Sequence, residues 1–296
     1  MKRRILLFIC IFIFPSLAPL IAASSASAPV VAAFVDWQKN KIFLEADWRL
    51  NGALVQASNA ELRAALRSAM LTKLSSVVAG LWSKSASADD ERCSGMMVPE
   101  LPDFWAAQKL VTFQVSENKA SASMEIMLRG KESLMAFLPL PFAREIQVTA
   151  DKEPSATAYE KRPGVGDYDA SQSEALLYTG LIIDARHLDY QPSLNTGVFT
   201  GSGRQIYGVE YLNRLTAVKR GVAGHYAAET DAELRQRAGK RPLKVSALDL
   251  NGHGENSLVI SEEDASKLLA HPGSVQNLRR GRVVVLINSA KLKEKY

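Results

Sequence analysis

The sequence predicts an α+β protein: a small antiparallel sheet packed by one long helix, followed by a second, strand-rich α+β domain. Three observations predict it. From Leu62 to Leu81 apolar residues recur at three- and four-residue steps, which only a helix gathers onto one face. Short apolar runs of strand length, several alternating with period two, surround that helix and dominate the second half. A stretch rich in Pro, Gly, Asp, Ser and Lys, residues 150–173, separates the two halves. With 296 residues, 47% hydrophobic and 23% charged, the chain can bury two modest cores or one large one and is not a disordered polymer.

Residues 1–28 read as an export signal. Lys2, Arg3 and Arg4 precede an apolar stretch from Ile5 to Ala23, and small residues continue through Ala28. Cleavage is expected between Ala22 and Ala28, with a retained anchor as the alternative; Pro15 and Pro19 weaken a continuous spanning helix. Cys10 lies inside the apolar run behind Ile9, which does not fit a lipidation site. Losing the segment removes three cations and no acid, so the net charge falls from +5 to +2. The basic balance is therefore a property of the signal, and no nucleic-acid partner is expected. Cys93 is then left without an internal disulfide partner.

The first domain, residues 29–150, opens with a strand from Lys41 to Leu50 that places Ile42, Leu44, Ala46 and Trp48 on one face, closed by Asn51-Gly52. Ser58 or Asn59 caps the long helix of about six turns. Leu110–Val115 and Ala122–Leu128 flank Glu117-Asn118-Lys119 as a hairpin, and Glu132–Thr149 is expected to add one or two strands. After the 151–173 linker, the second domain spans residues 174–290. Ala175–Ala185 is a nearly continuous apolar run suited to a central strand. Gln205–Gly208 reads as a short strand and Asp231–Ala238 as a helix; Leu243–Leu250 is expected to pair with Ser257–Ile260. Ser261 with Asp264 starts a helix that Pro272-Gly273 stops, and Arg282–Asn288 is the final strand. Residues 291–296, with Lys291, Lys293 and Lys295, are expected to be a solvated basic tail.

No motif discloses a reaction. The mature chain lacks a dinucleotide fingerprint, a phosphate loop, a GxSxG elbow and an HExxH helix, so no cofactor and no metal is assigned. The sharpest polar cluster is Asp184-Ala185-Arg186-His187 at the end of the long apolar strand, where functional groups of open α/β sheets often sit. Alternation puts Asp184 and Arg186 on one face and His187 on the other. An Asp–Arg pair with a rim histidine is the structural alternative to a binding site. Asp249–Glu255 has the donor spacing of a calcium loop but fails at His253 and Ile260. A metal or hydrolase site would need Asp184, His187, His253 and Glu255 brought together by folding. Arg279, Arg280 and Arg282 form a basic run that would suit an anionic polymer or lipid. His225 and His271 sit among polar neighbours in sequence and suggest no triad.

The segments Tyr178–Arg186, Pro192-Ser193-Leu194 and Gly203–Gly208, with Arg282–Asn288 as the closing strand, resemble those of exported bacterial proteins. These are similar to the small outer-membrane lipoprotein family and to the amino-terminal domain of flagellar assembly protein T. The resemblance implies a non-enzymatic accessory protein of the cell envelope, periplasmic or outer-membrane-associated, acting through protein partners in envelope or flagellar assembly. It carries no catalytic residue; His187 stands where that group often has glycine.

Overall fold

The computed structural model describes residues 28–85, 101–138, 176–250 and 257–296. Residues 1–27 of the signal-like segment, Cys93, the linker and residues 251–256 lie outside them. Strand β1 (Val30–Asp36) turns back through Trp37–Asn40 into β2 (Lys41–Arg49), with Phe34 opposite Phe43 in register. Asn40 takes the left-handed conformation at φ 56°, which asparagine tolerates better than most residues. As the period-two pattern requires, Ile42, Leu44 and Ala46 are buried while Glu45, Asp47 and Arg49 face solvent.

Helix α1 (Asn59–Ser85) is started by a capping box. The Glu61 backbone N–H donates to Ser58 Oγ at 3.3 Å, and the Glu61 carboxylate accepts from the Ser58 N–H at 2.9 Å. Leu62, Leu66, Met70, Leu74, Val77, Val78 and Leu81 are all 2% exposed or less. Burial of each stabilises the fold by about 1.5–3 kcal/mol, which outweighs the modest helix propensity of its two valines. They pack on the inner face of the sheet that β1 and β2 form with β3 (Thr112–Ser116) and β4 (Lys119–Met127), to which the short α2 (Pro102–Ala107) leads. Beyond β4 the expected strands are replaced, as far as residue 138, by a turn and the one-turn helix α3 (Leu134–Phe137). The rest of that stretch, 139–149, lies outside the described residues. Leu134, Met135 and Leu138 are buried, so the segment plugs the core rather than widening the sheet.

The second half is built around a sheet in which all neighbours are parallel. It is assembled from β5 (Leu181–Asp184), β8 (Gly224–Tyr226), β9 (Leu243–Ser246) and β12 (Val283–Leu286), in the order β8-β12-β5-β9. The intervening elements are β6 (Gly197–Thr200), β7 (Gln205–Tyr207), α4 (Arg214–Arg220), α5 (Ala232–Ala238), β10 (Asp249–Leu250), β11 (Ser257–Ile260), α6 (Glu262–Leu269) and α7 (Pro272–Arg279). The four strands β10-β11-β6-β7 form a small mixed sheet. The continuous apolar character of β12 has a direct cause. Val284 and Leu286 pack with Leu234 and Ala238 of α5, while Val283 and Val285 join the main core, so both faces are covered. The pairing expected for Leu243–Leu250 is accordingly divided. Its first part, β9, runs parallel to β5, and only its end meets β11: Asp249 and Leu250 pair with it and the Leu248 N–H donates to the Val259 carbonyl at 2.8 Å. The expected strand start at Ala175 moves to Leu181, leaving Leu176 and Leu177 at 52% and 43% exposure. At Gly180 a Cβ would lie 2.5 Å from the Ala238 carbonyl oxygen and 2.6 Å from that of Arg282, so no side chain fits. Pro272-Gly273 ends α6, as expected, but Pro272 also opens α7 from the first helical position.

The C-terminus corrects the expected solvated tail. Lys293–Lys295 forms β13, which pairs antiparallel with β1 and completes a five-stranded sheet of order β13-β1-β2-β4-β3. Lys293 and Lys295 do face water, but Leu292 is buried and the Tyr296 N–H donates to the Ala33 carbonyl at 3.0 Å. The Tyr296 ring crosses α1 at Gly80, where a Cβ would meet it at 2.9 Å. Alternating lysines look like a tail in sequence because their strand lies at a sheet edge, where both side chains stay wet. Ending the chain at Ser289 is expected to cost about 2–5 kcal/mol, the range for emptying a buried leucine site. Urea unfolding of the shortened and full chains measures it; a loss under about 1 kcal/mol would show the strand to be passive. The two halves share one continuous apolar core, and no described helix is long and apolar enough to cross a membrane.

Candidate functional site

Asp184 stands at the carboxyl end of β5, and the chain turns immediately so that Arg186 folds back on it. Arg186 Nε donates to Asp184 Oδ1 at 2.9 Å and Nη2 to Oδ2 at 2.5 Å, a bidentate pair. Hydrogen bonding from Arg186 holds the Asp184 carboxyl below its ordinary range. His187 is turned away, its Nε2 3.0 Å from the Ala247 carbonyl oxygen beyond β9. The structure thus brings Asp184 and Arg186 together and ties His187 to a neighbouring strand end. His253 and Glu255 lie outside the described residues, and among the described residues no group of three His, Cys, Asp or Glu side chains is arranged for a metal. The basic run is divided too. Arg280 is exposed at the end of α7, whereas Arg282 is half-buried with Nη1 3.4 Å from the Thr179 carbonyl oxygen.

A cleft of about 490 Å³ opens elsewhere, between the end of β4, the C-terminus of α4 and the face of α5. Arg129, Lys219, Arg220, Arg237, Tyr226, Glu233 and Gln236 line it. Its floor follows from a helix end. The carbonyls at the C-terminus of α4 lack helical partners and carry partial negative charge, and two guanidiniums reach them. Arg237, only 5% exposed, donates Nε to Val283 O at 2.8 Å and Nη2 to Gly221 O and Val222 O at 2.9 and 3.1 Å. Its Nη1 bonds the Arg220 carbonyl, which also accepts from Arg129 Nη1 at 2.9 Å. Burial pulls the Arg237 guanidinium down to about 10, so it remains charged at neutral pH. Arg220 is different: its backbone carbonyl is used, but its own guanidinium makes no hydrogen bond or ion pair among the described residues. Burial, followed by the charges of Arg282 and Arg129, lowers its proton affinity.

A second polar cluster is wholly interior. His225, expected in polar surroundings, is 4% exposed, with Trp37 edge-on at 5.4 Å and Tyr190 stacked at 5.9 Å between ring centres. The Tyr190 hydroxyl lies 3.2 Å from His225 Nε2 and 2.9 Å from Thr196 Oγ1. Burial, then the charges of Arg237 and Arg129, pulls His225 down to about 3, so the ring is neutral. His271 instead caps α7, its Nδ1 accepting from the Gly273 N–H at 2.9 Å. Neither the cleft nor this interior cluster was legible from spacing, since both combine residues more than ninety positions apart. The available signal was weaker: an arginine in the core-facing register of a short amphipathic helix, Leu234 and Ala238 being its buried neighbours.

Residues 180–289 match the family model described as the second domain of Treponema pallidum Tp0624. No curated protein matches the chain. The match runs from the residue before β5 to the turn before β13 and takes in the strand motifs at Leu181–Arg186, Gln205–Gly208 and Arg282–Asn288. This half is therefore similar to a bacterial domain of α+β character. The match contains Lys219, Arg220, Tyr226 and Arg237, while Arg129 comes from outside it.

Proposed function

We propose that the protein is an exported, non-enzymatic accessory protein of the bacterial cell envelope that acts through protein–protein contact in envelope or flagellar assembly. The docking element is the outer edge of β3. One observation carries this reading: the two edges of the five-stranded sheet are treated differently. The edge strand β13 consists of Lys293, Glu294 and Lys295, whereas β3, whose far side nothing pairs with among the described residues, carries no charged residue. Strand β3 reads Thr-Phe-Gln-Val-Ser, with no proline and no charge, and Val111 beside it and Val115 within it are 60% and 40% exposed. Edges that must stay solitary are usually blunted by lysine, proline or a bulge; this one is suited to accept an extended segment of a partner. The signal-like residues 1–28 support the export part of this reading.

The test is crosslinking in intact envelopes through a photoreactive residue at Val111, repeated with Gln114→Lys on β3. The expected result is one predominant crosslinked partner, lost at least tenfold in Gln114→Lys while the unfolding midpoint stays unchanged. Undiminished crosslinking in a stably folded Gln114→Lys chain would exclude the β3 edge.

A further inference from the structure

We propose that the cleft between α4, α5 and the end of β4 is a binding site for a phosphate group, held by Arg220 and Lys219 with Arg129 at its wall. The argument begins with charge. Four cationic side chains, Arg129, Lys219, Arg220 and Arg237, line the cleft against the single carboxylate of Glu233. Such crowding of like charge is unfavourable unless something offsets it. The partial negative end of α4 offsets part of it. It accounts for Arg237, whose three guanidinium nitrogens all bond carbonyls, and for Nη1 of Arg129. It does not account for the Arg220 guanidinium or the exposed Lys219 ammonium, which among the described residues meet no carboxylate.

Geometry points to the same ligand. Arg237 and Arg129 both clamp the Arg220 carbonyl, so the base of the Arg220 side chain is fixed from two sides. A guanidinium carried on an anchored backbone, beside a second guanidinium and an exposed ammonium, suits an anion with several oxygens and two negative charges. The Tyr226 hydroxyl, which bonds Arg129, adds a neutral donor at the wall. At about 490 Å³ the cleft falls within the range of small-molecule sites, so the phosphate can carry an organic group. Arg129 is contributed by the first half of the chain, outside the region similar to the treponemal domain. The complete site therefore belongs to the joined halves.

The experiment titrates the chain from residue 29 with inorganic phosphate at low ionic strength and, separately, with vesicles containing phosphatidylglycerol. Arg220→Gln, Lys219→Gln and a control outside the cleft, Arg280→Gln, are compared. The expected result is saturable binding in at least one arm, weakened tenfold or more in Arg220→Gln with an unchanged unfolding midpoint, and unaffected in Arg280→Gln. Binding of free phosphate assigns a soluble ligand; binding of vesicles alone assigns a lipid headgroup. The proposal is overturned if neither probe binds, if Arg220→Gln binds as the parent does, or if Arg280→Gln weakens binding equally. None of these outcomes depends on the β3 edge.

Discussion

Arg237→Met is expected to destabilise the protein by about 3–5 kcal/mol, the range seen when one member of a buried charged network is removed. The side chain joins three elements at once: it projects from α5, caps the C-terminus of α4 and reaches the Val283 carbonyl at the start of β12. Methionine fills a similar volume but removes this donor from four carbonyls; Arg220 O keeps Arg129 and Val222 O keeps the Tyr207 hydroxyl, while Val283 O and Gly221 O lose the guanidinium, and a buried group left unsatisfied costs about 1–3 kcal/mol before relaxation. Arg237→Lys is expected to recover less than half of the loss, because a single ammonium cannot reproduce a planar fork that spans four acceptors. Urea unfolding of the three chains decides the matter. A loss below about 1 kcal/mol in Arg237→Met would mean that water enters and replaces the guanidinium.

Acid sensitivity is the second large effect, and it is assigned to His225. In the folded chain the ring is held at about 3, well below its ordinary value of 6.5. Between those values the unfolded chain takes a proton that the native chain refuses, so stability is lost as pH falls from about 6.5 toward 3. At about 1.4 kcal/mol per unit below the unfolded value, and with the unfolded ring already half protonated at pH 6.5, the loss between pH 6.5 and 4.5 is about 2.3 kcal/mol. His225→Gln keeps a hydrogen-bonding group beside Tyr190 without the titration and is expected to flatten the profile across the same two units. Equal slopes for both chains, by urea unfolding at each pH, would remove His225 as the cause.

The parts of the fold that were legible in sequence share a physical property: their signals are local. The α1 stripe, its Ser58–Glu61 box, the Ser261–Asp264 box and the Glu117-Asn118 turn all lie within a few residues of the structure they specify. The bidentate Asp184–Arg186 pair was legible for the same reason, being two positions apart. Strand partners were less so. Leu243–Leu250 contains a polar-apolar alternation that fits either of two neighbours, and the choice between β5 and β11 rests on contacts made from elsewhere. The proline at 272 had two meanings in sequence, an end for α6 and a start for α7, and both are realised.

By itself, then, the sequence determined the α+β class, the long capped helix, the hairpin beside it and the apolar strands at Leu181 and Val283. Periodicity and capping chemistry act over one or two turns, and the burial they demand can be met in only a few ways. Only the tertiary structure decided that the last residues return to close the first sheet. It also decided that a histidine with polar sequence neighbours is interior and neutral, and that Arg129 and Arg237 meet at one helix end. Those outcomes depend on which distant surfaces exclude water from one another. No local pattern encodes that, because desolvation and charge crowding belong to the assembled core.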